Sequence, residues 1–131
     1  MHPRRRFVMR AVLAMGLGAS TAALAAPDDY VFEPLTAQVQ MGDAIIAVRL
    51  THKPSGKPVP DAVIFAHRLD MAPDGMATMI AALVSLPAAE AGVYRFKTEL
   101  AMTGNWQLSL AAKIQGETGT HQRKIPLKVT E

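Results

Sequence analysis

The chain has 131 residues, half of them hydrophobic, no cysteine and a formal charge of +3. That length makes one domain and is short for two, and the apolar share is enough for a packed core. The missing cysteines exclude disulfide frameworks, thiolate zinc sites and cysteine nucleophiles together.

The positive charge is concentrated at the N-terminus. Arg4, Arg5, Arg6 and Arg10 precede an apolar, small-residue run from Ala11 to Ala26, and Ala23-Leu24-Ala25 fits a small-x-small cleavage site. This order reads as a signal peptide over residues 1–25, removed after Ala25. Arg4-Arg5-Arg6-Phe7-Val8-Met9 resembles a twin-arginine export motif. Pro3 stands where that motif carries Ser or Thr, so the general secretory route is the expected one. A periplasmic protein with no stable membrane span after cleavage follows as the expectation. Loss of residues 1–25 takes away four arginines and no acid, leaving ten basic against eleven acidic residues and a charge of −1. No basic stripe for nucleic acid is then expected.

Beyond an expected leader at 26–34, one domain fills 35–131, and alternation dominates it. Leu35 to Val39 reads as a short first strand. Asp43 to Thr51 reads as a second, with Ala44, Ile46, Val48 and Leu50 on one face. His52 to Pro60 holds three prolines and a glycine and reads as a connection. Asp61 to Arg68 resumes as a strand, and Leu69 to Ala77 is a loop with an Asp74-Gly75 turn pair. Thr78 to Leu86 fits a strand or a short helix. Val93 to Met102 alternates, with Tyr94, Phe96, Thr98, Leu100 and Met102 on one face. Gly104-Asn105 reads as a hairpin turn. Trp106 to Ile114 and His121 to Thr130 complete the pattern. About seven short strands with turns between them predict an all-β fold, an immunoglobulin-like antiparallel β-sandwich.

No catalytic machinery is evident. Ser55, Ser85 and Ser109 are the serines outside the signal, and none sits in a glycine-flanked elbow. No phosphate loop, HExxH or EF-hand pattern appears. The expectation is therefore a non-enzyme. The unusual feature is His67, Met71, Met76 and Met79, four ligand-type side chains within thirteen residues. Thioethers are soft, neutral donors that suit Cu(I), and imidazole adds a borderline donor. In an oxidising envelope thioethers stay available where thiols are lost. His67 is expected at the rim of the sandwich, with the Asp74-Gly75 turn folding Met76 and Met79 back over Met71. Met102 is placed to reach the same end, and Trp106 to shield a Cu(I) ion. Three readings stay open: a metal site, a methionine plug that closes the end of the sandwich, and a sticky surface for a protein partner.

Four stretches carry a family resemblance. They are Lys57-Pro58-Val59-Pro60-Asp61-Ala62-Val63, Met71 to Met79, Ala91-Gly92-Val93-Tyr94, and Leu100 to Leu108 with its Met102, Gly104 and Trp106. Together they resemble the YtkA-like/FixH-like exported domains over about residues 35–130. The resemblance implies a β-sandwich of the bacterial envelope. It also implies copper handling beside an envelope partner such as a metal-efflux or oxidase-assembly complex. Met71, Met76 and Met79 are its carried-over ligands, with Met102 in the second motif. The chain departs from the pattern in its longer Pro-Asp-Gly insertion and in showing no membrane anchor after the signal.

Overall fold

The computed structural model describes residues 29–131. The expected signal peptide lies outside the described residues, as do the first three residues of the expected leader. Ten strands follow: β1 (Tyr30–Pro34), β2 (Gln38–Gln40), β3 (Gly42–His52), β4 (Lys57–Pro58), β5 (Val63–Met71), β6 (Met76–Ala81), β7 (Leu83–Leu86), β8 (Val93–Leu100), β9 (Gly104–Lys113) and β10 (Thr120–Thr130). Two sheets form. The first runs β1-β3-β8-β7, with β4 beside β3, and the second runs β2-β10-β9-β5-β6. All pairs are antiparallel except β2 with β10. The expected immunoglobulin-like sandwich is therefore the fold. Among the described residues no helix is long and apolar enough to cross a membrane.

Alternation places the core where the sequence put it. Ile46, Val48 and Leu50 of β3, Phe96 and Leu100 of β8, and Trp106, Leu108 and Leu110 of β9 are buried between the sheets. On β3 and β8 the charged residues alternate with these, away from the core, as a period of two requires. Tyr94 fastens the 59–62 connection: its hydroxyl accepts from the Ala62 N–H at 3.0 Å and donates to the Val59 carbonyl at 2.7 Å.

Four local expectations change. Tyr30–Pro34, the end of the expected leader, is β1. It pairs with β3 because Phe32 drives the segment into the core, where it is 1% exposed. Of the expected strand from Leu35 to Val39 only Gln38 and Val39 are in a strand, the three-residue β2, which lies in the other sheet from β1. Thr78 to Leu86 is extended rather than helical. It runs through β6 and β7, interrupted only at Ala82, and passes from the edge of one sheet to the edge of the other. Gly104-Asn105 does not turn a hairpin, because β8 and β9 belong to different sheets and residues 101–103 cross between them. The positive φ of Gly104, 138°, instead opens β9 where no side chain fits.

Candidate functional site

The methionine-bearing end is built on a tight reversal between β5 and β6. Ala72–Asp74 form one 3-10 turn, with Pro73 supplying a preset φ and Gly75 closing it in the left-handed region. The Gly75 N–H donates to the Ala72 carbonyl at 2.9 Å. This reversal makes Met71 and Met76 direct cross-strand partners.

Asp74 clamps the reversal to β9. Its carboxylate accepts from the Asn105 backbone N–H at 2.7 Å and from the Asn105 side-chain amide at 2.9 Å. Gly104 makes that approach feasible: a Cβ there would lie 2.6 Å from the Asp74 Oδ2 and 2.7 Å from the Met71 Cε. Asp70 braces the other side, accepting from Arg68 Nε at 2.7 Å and from the Ala72 N–H at 2.9 Å. A second Arg68 nitrogen donates to the Ala77 carbonyl at 2.6 Å, so one guanidinium spans both arms of the reversal. Trp106, 1% exposed, donates its indole N–H to the Met102 carbonyl at 3.0 Å and so fastens the 101–103 crossover to the same end.

The five expected ligands divide. Met71 is fully buried, and its methyl fills the space beside Gly104. Met76 and Met102 are half-buried against the core, and Met79 is 36% exposed on the edge strand β6. His67 does not join them. It was expected at the end of its strand, on the face of Val63 and Phe65, but it lies within β5. An irregularity in the β5–β9 register between Ile64 and Ala66 changes which residues face inward. His67 therefore sits opposite the buried Leu110, with its ring 5.5 Å from that of Phe96 in the other sheet. Met71 is four residue steps further along the same strand, about 13 Å, too far for one ion. Of the other histidines, His52 pairs with Ser55 at 2.7 Å, and the His121 ring lies 5.4 Å from that of Phe32.

Asp70 and Asp74 hold their charge firmly. Burial pushes the Asp70 carboxyl up, but the Arg68 bond, the Ala72 N–H and the nearby positive charges outweigh it and hold the group below its ordinary value. The Asn105 backbone N–H, followed by the Asn105 amide, lowers Asp74. A carboxyl lowered by folding adds stability that is complete above its unfolded pKa and is lost as pH falls through the folded value. The thermal midpoint is thus expected to drop as pH falls below about 4. Asp74→Asn should lie below wild type at pH 7 and lose less between pH 7 and pH 3 in a calorimetric series; an unchanged loss would remove Asp74 from this account.

The sequence reading found the methionines but missed the Asp74–Asn105 clamp and the Arg68 brace. Asp74 had only its turn-forming identity to signal it, since its partner lies 31 residues away. Both carboxylates at this end are engaged by donors of the chain itself, so the soft donors of the Met71–Met76 pair are the ligand-type groups left without a hydrogen bond there. Among the described residues no group of three or more His, Cys, Asp or Glu side chains is arranged to hold a metal.

Among solved structures, the chain is similar to the Lin-41 filamin domain at 14% identity, covering 78% of this chain and 92% of that one with a TM-score of 0.48. It is also similar to the ZirS C-terminal domain at 12% identity, covering 81% and 68% with a TM-score of 0.48. A search of curated proteins finds no match. The chain also matches a family of known domains. The match runs over residues 24–111, from before β1 into β9, and takes in the clamped reversal, the 101–103 crossover and Trp106. By that match the chain belongs to the YtkA-like family.

Proposed function

We propose that this β-sandwich is a non-enzymatic envelope module that binds Cu(I) through thioethers at its clamped end and passes it to a metal-efflux or oxidase-assembly partner. One observation carries the reading: Met71 and Met76 are paired across β5 and β6, at the end where Asp74 and Gly104 hold the reversal against β9. In this reading Met79 and the half-buried Met76 are the accessible donors, the buried Met71 completes the set, and Met102, whose carbonyl is held by Trp106, is the further candidate. His67 is left out of the ligand set by its distance. Uncharged thioethers bind without releasing a proton, which suits an ion that must be handed on. The same reading places the protein in the periplasm, exported on residues 1–25.

The test is a Cu(I) titration of the purified protein against a competing chelator. Binding tighter than about micromolar is expected in wild type and in His67→Ala, and its loss in the Met71→Leu/Met76→Leu/Met79→Leu variant. Methionine-to-leucine changes keep volume and cost little stability, so that loss would report ligation. Wild-type protein with no such affinity, or a triple variant that keeps it, defeats the copper reading.

A second reading, docking of a protein partner without metal, is favoured by the edge of β5. Its pairing with β6 stops at Leu69, and Val63 and Phe65 beyond that point are more than half exposed. Such an edge is open to strand addition.

A further inference from the structure

The described residues carry ten basic and ten acidic side chains, but the two sheets do not share them evenly. The strands of the second sheet hold Arg68, Lys113, Arg123, Lys124 and Lys128 against the single acid Asp70. The strands of the first hold Arg49, Lys57, Arg95 and Lys97 against Glu33, Asp43 and Glu99. The one acid of the second sheet is 4% exposed and already bound by Arg68. The outer face of that sheet is therefore positive on a domain with no net charge.

A trough of about 410 Å³ lies in this face. Its floor follows from the register. Ala66 and Gln122 flank Ala111 in one cross-strand row, and Arg68 and Lys124 flank Ser109 in the next. The small outward residues of β9 leave the depression, and the longer side chains of β5 and β10 wall it. Arg123, in the row between those two and opposite Leu110, also lines it. Arg68 and Lys124 are two strand spacings apart, about 10 Å between backbones, and Lys124 stands beside the Ser109 hydroxyl, where it can meet a carboxylate held over the floor. The Arg68 guanidinium is turned toward β6, with two nitrogens committed to Asp70 and Ala77, so it walls the trough and leaves the carboxylate to Lys124 and Arg123. Arg123 and Lys124 make no salt bridge among the described residues.

We propose that this trough docks an acidic peptide segment of a partner protein, its carboxylates on Lys124 and Arg123 and its backbone over Ala66 and Ala111. Charge complementarity selects the ligand. A concave floor of small residues with flanking amide and hydroxyl groups fits an extended chain better than a flat lipid surface. The site lies on a face separate from the methionine end and does not depend on copper binding.

The experiment is fluorescence anisotropy of the full-length protein with a labelled Glu/Ser peptide at low ionic strength. Saturable binding that weakens with added salt is expected. Arg123→Glu/Lys124→Glu should weaken it about tenfold or more. Ala111→Leu, which fills the floor and leaves the charge untouched, should weaken it comparably, whereas Lys97→Glu on the other sheet should not. Thermal melts confirm that each variant is folded. No saturable binding overturns the proposal, as does an Ala111→Leu variant that binds like wild type, which would mean diffuse attraction only. Binding of anionic lipid vesicles or DNA with no binding of the peptide overturns it too.

Discussion

Trp106→Ala is expected to lower the unfolding free energy by about 3–5 kcal/mol, the range for deleting a buried large aromatic. Trp106 is 1% exposed and belongs to the central cluster between the sheets, so the deletion leaves a cavity that the neighbouring strands fill only in part. It also removes the indole N–H that holds the Met102 carbonyl. Trp106→Phe separates these effects. It keeps most of the apolar volume but leaves that carbonyl without its donor, at about 1–2 kcal/mol. Urea denaturation gives both values from the midpoint at constant slope. Equal losses in the two variants would show that packing of the ring contributes nothing beyond its hydrogen bond.

Gly104→Ala is expected to cost about 2–4 kcal/mol, from two sources. A φ of 138° is strained for any residue with a Cβ. The new methyl would also meet the Asp74 carboxylate and the Met71 methyl at under 3 Å. Flexible side chains often yield to such contacts. These do not, because Asp74 is held by two bonds to Asn105 and Met71 is fully buried. In a Met71→Val background the thioether methyl is gone, and the Gly104→Ala penalty should shrink by about 1 kcal/mol. A double-mutant cycle by denaturation measures that coupling. Strict additivity would mean that the two positions do not press on each other.

Much of the sandwich was legible in the sequence because burial follows a period of two. In β3, β8 and β9 a single inward face runs the length of each strand, and the sequence marks it residue by residue. The failures have particular causes. β1 was hidden because Phe32 is its one fully buried residue, too little for a period. Gly104-Asn105 has the composition of a hairpin turn, and composition cannot tell a turn that reverses within one sheet from a crossing to the other. His67 was misplaced by the β5 irregularity, since one extra residue exchanges the inward and outward faces for every position beyond it. The methionines were visible as a cluster because they are close in sequence. The Asp74–Asn105 clamp and the Ala66–Ala111–Gln122 row of the trough join positions distant in sequence, and no local pattern encodes them.

The sequence by itself determined a cysteine-free all-β domain, its alternating core faces and a run of soft donors between two strands. Local chemistry suffices for these, because side-chain period and donor softness are properties of neighbouring residues. Only the tertiary structure decided that Met71 is buried while Met79 stays near the surface, that His67 stands apart from both, and that five cations gather on one sheet. Those outcomes depend on register and strand order, which are set by which distant surfaces bury one another.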